Sequence, residues 1–264
     1  MTKTSIEWAT DVWNPVTGCT KVSAGCKNCY AEKIAKRFWG DRKFTDVQCH
    51  EERLYEPFHW KKPRRVFVNS MSDLFHPDVP EEFIYRVFRI MASSKHTYII
   101  LTKRPLRMNN LMMHIRERLI SDHFREIVAD LPNVWLGVSV ENQQAADERI
   151  PYLLQTPAAV QFVSVEPMLG PLSWLKHYLP CKIPCPRYER DGKLVVADLD
   201  WVICGCESGQ NARPFDMDWA RDLRDQCQNA NVPFFFKQGR VGGKLVKMPE
   251  LDGQVWNEFP EVQE

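Results

Sequence analysis

The sequence predicts an α/β protein with a parallel sheet, arranged as a (β/α) barrel, complete or open on one side. Three observations predict it. From Arg65 onward, short apolar runs alternate with longer stretches of helical periodicity, the pattern of repeated βα units. Most of the short runs are continuously apolar rather than alternating, as parallel strands buried on both faces are. Nearly every run then ends in polar residues, at the end of a strand where a parallel barrel gathers its chemistry. An open doubly wound sheet is the alternative.

Thr4 to Trp13 is expected to be the first strand, and Trp13 to Thr17 the turn that leaves it. A loop with three cysteines follows. Tyr30 to Trp39 then reads as a helix, with Ile34, Ala35 and Phe38 at helical spacing. Asp41 to Lys62 is mixed and polar, a loop with a short helix. His59-Trp60-Lys61-Lys62-Pro63-Arg64-Arg65, at its end, is the most basic aromatic stretch of the chain. Arg65 to Asn69 is a strand, and Pro80 to Ser93 a helix opened by Pro80 and Glu81. Tyr98 to Thr102 is a strand, and Leu106 to Ala129 one long helix or two. Val134 to Val138 and Gln143 to Leu154 form the next pair, Val160 to Ser164 and Leu172 to Tyr178 the one after. Leu199 to Cys204 is a strand, Asp216 to Ala230 a helix, and Val232 to Lys237 closes the series. Such units fit a TIM-barrel-like arrangement in one domain covering 1–264. Pro180 to Ala197, with Cys181, Cys185 and several charges, interrupts it as an inserted loop or hairpin.

The chain has 264 residues, enough for a sizeable core. Lys plus Arg number 35 against 34 for Asp plus Glu, so net charge makes no case for nucleic acid or membrane, although a local basic patch stays open. Met1 to Glu7 lacks the apolar centre of a signal peptide, and no apolar run approaches membrane-spanning length. The nine cysteines then read as reduced thiols of a cytoplasmic protein, ligands or core residues rather than disulfides.

Cys19, Cys26 and Cys29 stand at C-x6-C-x2-C in one loop. Thiolates suit iron–sulfur clusters and zinc. Three ligands on a four-metal cluster leave one metal for a small molecule, whereas a closed zinc site takes four. No fourth Cys or His lies within the loop, and the next candidates are Cys49 and His50. Gly18 and Gly25 let a loop wrap closely round a ligand. Plain structural thiols are the simpler alternative.

The second strand runs into Asn69-Ser70-Met71-Ser72-Asp73, and the third into Lys103-Arg104-Pro105. The fourth ends Ser139-Val140-Glu141-Asn142, the fifth Ser164-Val165-Glu166-Pro167, the sixth Gly205-Cys206-Glu207, and the last Lys237-Gln238-Gly239. A carboxylate in the same place on three strands, with a lysine on two others, points to a functional mouth. Helix caps and rim ion pairs account equally for any one of them.

Gly25-Cys26-Lys27-Asn28-Cys29-Tyr30-Ala31 after a first strand, followed by such βα units, resembles the radical S-adenosylmethionine superfamily. More closely, the chain resembles a phage-associated radical-SAM-like family of uncharacterised proteins with a three-cysteine motif. The likeness is carried by Asn14 to Cys19, Asn69 to Phe75, Leu101 to Pro105, Trp135 to Glu141, Phe162 to Pro167 and Phe234 to Gln238, which together span nearly all of the chain.

That resemblance implies a barrel of the radical-SAM type and a [4Fe-4S] cluster on Cys19, Cys26 and Cys29. S-adenosylmethionine would chelate the fourth iron. Reduction would cleave it to methionine and a 5′-deoxyadenosyl radical that abstracts hydrogen from the substrate. The implied partners are an external electron donor of flavodoxin or ferredoxin type and a small-molecule or nucleotide substrate, with nucleic acid among the candidates. Two departures stand out: the first cysteine gap is six rather than three, and Asn28 replaces the usual aromatic. No glycine-rich turn follows the second strand. Asn69, Ser70 and Ser72 stand there, assigned to the methionine end of the cofactor. Ser139 and Glu141 are assigned to its ribose or amino group, and Lys103, Glu166 and Glu207 to substrate.

Cys204 and Cys206 should point the same way along a strand. Cys206 is a candidate to supply a hydrogen atom to a product radical, or to join Cys181 and Cys185 in a second metal site; small buried residues are the simpler reading. Cys49 and Cys227 read as structural, His76 as lining of the mouth, and His96 as a strand cap. Trp60 with Lys61, Lys62, Arg64 and Arg65 offers a surface for a nucleotide chain, or is a solvated basic turn. The leading expectation is a radical S-adenosylmethionine enzyme. The alternatives are a non-enzymatic protein holding zinc with Cys49 or His50, and a nucleic-acid-binding barrel keeping a cluster for structure.

Overall fold

The computed structural model describes residues 4–121, 131–173, 187–190, 193–196, 199–209 and 211–261. Its residues gather into two compact units, 1–137 with 156–159, and 138–155 with 160–264. The fold is mixed α/β on a mostly parallel sheet. Eight strands hydrogen-bond in chain order: β1 (Asp11–Trp13), β2 (Arg65–Val68), β3 (Thr97–Thr102), β4 (Val134–Ser139), β5 (Val160–Val165), β6 (Trp201–Gly205), β7 (Phe234–Val241) and β8 (Lys244–Lys247). A doubly wound sheet reverses its strand order at a switch point; this order never doubles back, which is the order of a partial (β/α) barrel.

In the first unit β1 pairs with β2, and β2 with β3, all parallel. The strand expected over Thr4 to Trp13 is confined to its last three residues. The Thr4 hydroxyl accepts from the Ile6 amide, Ala9 N–H closes a turn on Ile6, and only Asp11–Trp13 reaches the sheet. Helices α1 (Tyr30–Phe38), α2 (Glu81–Ala92) and α3 (Pro105–Ser121) follow. Pro105 opens α3 where the missing N–H costs nothing; the expected continuation over 122–129 lies outside the described residues. The short helix expected within Asp41 to Lys62 is replaced by two 3-10 turns, Glu51–Arg53 and Glu56–His59, with Pro57 denying the second a backbone donor. Gln48–Cys49 pairs antiparallel with Val16–Thr17 and ties this segment to the cysteine loop. The core packs Trp8 on Phe67 and Trp13 on Tyr98.

In the second unit β5, β6 and β7 pair parallel, and β8 returns antiparallel on β7. All of β5 and β6 is buried, as their unbroken apolar runs require. Trp201 sits among Phe162, Phe235 and Phe259. Helix α4 (Gln143–Leu154) is opened by the Asn142 carbonyl oxygen, which accepts from Ala145 N–H at 2.9 Å. Asp216 caps α5 (Met217–Ala230) in the same way, and Asn231 ends it in the left-handed region. Within the stretch read as an insertion, Arg187–Arg190 and Lys193–Val196 pair antiparallel. Leu172 and Ser173 have no regular structure, and the rest of the helix expected there lies outside the described residues, as do Cys181 and Cys185. Among the described residues no helix is long and apolar enough to cross a membrane.

Candidate functional site

The cysteine loop leaves the carboxyl end of β1 and is stitched to the end of β2. Gly18 N–H donates to Met71 O at 3.0 Å, Asn69 Oδ1 accepts from Val16 N–H at 3.2 Å, and the Ser72 hydroxyl donates to Val16 O at 2.8 Å. Gly18 has a φ of +96°, and a Cβ there would lie 2.4 Å from the Asp46 carbonyl oxygen, so only glycine fits. Cys26 ends a 3-10 turn over Ala24–Cys26, and Cys29 stands at the N-terminal end of α1. The Tyr30 hydroxyl donates to Ser70 O at 2.7 Å and fixes the start of that helix on β2. Cys19, Cys26 and Cys29 are free thiols, each partly buried.

Behind Cys19 lies a polar lattice that no single strand end announces. Arg104 donates to Asp73 at 2.8 Å, to the carbonyl and hydroxyl of Thr20 at 3.0 Å each, and to Cys19 Sγ at 3.6 Å. Asp73 also accepts from the Thr102 hydroxyl at 2.8 Å, from Phe75 N–H at 3.0 Å and from Lys103 N–H at 3.2 Å. The buried His76 meets the Thr20 hydroxyl through Nε2 at 2.7 Å. Burial first, then the Asp73 charge, pushes the Cys19 thiol up to about 11, with Arg104 pulling the other way. The sequence points to Lys103, and the structure places Arg104 in this role. A period of two from the buried Thr102 puts Arg104, not Lys103, on the Thr102 side, so the signal is there in the strand's own spacing.

Asn69 holds a left-handed backbone (φ 60°) and is buried. Its Oδ1 is used on Val16, while its Nδ2 is buried with no hydrogen-bond partner in the protein. The Ser23 hydroxyl, between Cys19 and Cys26, is in the same condition. Such orphaned polar atoms are uncommon in a native fold and ask for a ligand or a water. Among the described residues no three His, Cys, Asp or Glu side chains are gathered closely enough to hold a metal ion as they stand. The donor set nevertheless fits an iron–sulfur cluster chemically: three reduced thiols in one loop, a guanidinium donating to one sulfur, and an orphaned donor at Asn69. The partners proposed for a zinc site are engaged otherwise. Cys49 stands opposite Val16 in a strand pair, and His50 meets the Thr17 hydroxyl through Nε2 at 2.7 Å and Glu52 through Nδ1 at 3.1 Å.

In the second unit the three strand-end carboxylates are each ion-paired. Glu141 meets Arg149 of α4 at 2.9 Å, both side chains buried, and Arg149 also donates to the Ser139 carbonyl at 2.6 Å. Glu207 meets Arg213 at 2.5 Å. Glu166 meets Lys237 at 2.9 Å and accepts from the Ser164 hydroxyl at 3.1 Å. Lys237 owes its aim to a bulge: Cys204 pairs with Phe236 and Gly205 with Gln238, so Lys237 is the extra residue of β7. A Cβ on Gly205 would lie 2.6 Å from Glu166 Oε1, so glycine makes room for that carboxylate.

Cys206 is buried, its amide donating to Gln238 O at 3.0 Å, and burial first pushes its thiol up to about 11. Cys204 contacts Met168 Sδ at 3.7 Å, and Cys227 is buried in α5. His96 is not a strand cap. It is buried, with Nε2 2.9 Å from Pro57 O. In the basic aromatic stretch, Arg64 lies over Trp60 at 4.9 Å and pairs with Asp11, while Lys61 and Lys62 are exposed.

Comparison with curated proteins gives no match, and comparison with solved structures gives none. One family profile matches residues 3–260, nearly the whole chain. The chain therefore belongs to the family described as Protein of unknown function (DUF5131).

Proposed function

We propose that this protein is a radical S-adenosylmethionine enzyme, with Cys19, Cys26 and Cys29 holding a [4Fe-4S] cluster. The observation that carries the reading is the pairing of three free thiols in one loop with the orphaned Asn69 Nδ2 on the strand end stitched to that loop. The cluster, when bound, supplies one-electron chemistry to its cofactor. Gly18 and the ties to β2 hold the loop in register, and Arg104 stands as a fixed donor beside Cys19. In this reading Asn69, Ser70 and Ser72 serve the methionine end of the cofactor, and Ser139 its ribose. Glu166 with Lys237, Glu207, Lys103 and the protonated Cys206 thiol are left for a small-molecule or nucleotide substrate. Glu141 acts through Arg149 as a positioning residue.

Anaerobic reconstitution tests the proposal. Wild type should take up iron and sulfide, show a visible absorbance that bleaches with dithionite, and form 5′-deoxyadenosine when reduced with S-adenosylmethionine. Cys26→Ala should lose all three. Asn69→Ala should keep the iron and lose cofactor affinity by about tenfold, the loss of one buried hydrogen bond to a charged group. A colourless protein carrying zinc would overturn the reading.

A further inference from the structure

Helix α1 shows its large apolar residues to solvent. Ala31 and Ala35 take its buried contacts, while Tyr30, Ile34 and Phe38, spaced i, i+4 and i+8, are 43, 40 and 69 % exposed. Val22 of the cysteine loop is exposed as well. A surface helix normally turns such a stripe inward, and an outward one marks an interaction face. The charge around it is as unusual. Residues 18–43 hold seven Lys and Arg against Glu32 and Asp41, in a chain whose net charge is +1, so the remainder is net acidic. Lys27, Lys33, Lys36 and Arg37 are exposed, and Glu32 already pairs with both Lys21 and Lys36 at 3.0 Å. Arg37 lies over the Phe38 ring at 5.1 Å.

An apolar centre inside a charged rim is the anatomy of a protein–protein interface, and a basic rim selects an acidic partner. Ile34 and Val22 offer nothing to a nucleic acid, which takes charge and aromatic faces. The helix begins at Cys29, so whatever covers it adjoins the thiol loop. We propose that the outer face of α1 docks an acidic one-electron donor protein, which reduces the group held by the cysteine loop. This rests on the redox reading of that loop. One electron leaves the donor, which is oxidised by one, and enters the loop's group, which is reduced by one; no bond or proton changes hands.

The probe is reduced flavodoxin, offered to the anaerobically reconstituted full chain. Its binding is measured directly, and 5′-deoxyadenosine formation is driven once by flavodoxin and once by dithionite. Wild type should bind flavodoxin, less well as salt is raised. Ile34→Ser with Phe38→Ser, and separately Lys33→Glu with Arg37→Glu, should each weaken binding and flavodoxin-driven turnover by about tenfold or more, with dithionite-driven turnover unchanged. Absence of binding by wild type, or unchanged binding by both variants, overturns the proposal. So does a single-stranded oligonucleotide that binds wild type and is lost in the same variants. Failure of dithionite to drive wild type would instead bring down the redox reading and the electron delivery with it, while the binding measurements still decide the docking face.

Discussion

In the first unit the ion pair at the strand ends reaches beyond itself. Arg104 satisfies Asp73 and still has donors for Thr20 and the Cys19 sulfur. In the second unit Glu141, Glu166 and Glu207 are matched one to one by Arg149, Lys237 and Arg213. The two sets of strand ends look alike in composition. The difference is where the partner comes from. Arg104 stands two residues beyond Thr102, beside the loop that follows β1, so its guanidinium backs a ligand-bearing segment. Arg149 comes from the helix after its strand and Lys237 from a bulge in the neighbouring strand, so those pairs close on themselves. A polar strand end becomes a candidate binding surface where its charges are not fully spent on each other.

The largest effect should come from opening the most buried of these pairs. The Arg149 and Glu141 side chains are 7 % and 1 % exposed. Arg149→Met should cost about 3–5 kcal/mol in urea unfolding, because it strands a buried carboxylate. Arg104→Met should cost less, about 1–3 kcal/mol, since Asp73 keeps donors from Thr102, Phe75 and Lys103. Equal costs would erase the contrast between the two units.

Gly205→Ala comes next. Its Cβ would meet Glu166 Oε1, so the carboxylate must leave Lys237 or the strand must shift, at about 1–3 kcal/mol. In a Glu166→Ala background the same substitution should cost much less, and an additive double-mutant cycle would show that Gly205 serves something other than Glu166.

The smallest effect separates the units by pH. His50, His76 and His96 all lie in the first unit, and burial holds each below the ordinary value of 6.5. The unfolded chain therefore takes up protons that the folded unit refuses. Stability present above 6.5 is lost as the pH falls below it. Amide exchange should speed up in β2 and β3 relative to β5 and β6 between about pH 7 and about pH 5. His96→Gln should flatten that response, and an equal response in both units would break the comparison.

Much of the strand order is legible in the sequence. Continuous apolar runs such as Val160–Val165 and Trp201–Gly205 have to be buried on both faces, and helices between them force parallel pairing. The first strand is shorter than its residues suggest, because Ile6 and Trp8 look like strand residues, yet Trp8 is buried by packing on Phe67 from a turn. The cysteine triplet is equally visible, being local. Arg104 is harder to see than Lys103, because it stands out only when the strand's period is carried two residues past the strand's end.

By itself the sequence determined the βα alternation, the thiol loop and the polar strand ends, because these depend on residues near one another along the chain. Only the tertiary structure decided which carboxylate meets which base, that a bulge turns Lys237 onto Glu166, that Asn69 keeps a buried donor without a partner, and that α1 faces outward on Phe38. Those are pairings and exposures between segments tens of residues apart. Local periodicity carries no information about them until the chain has closed on itself.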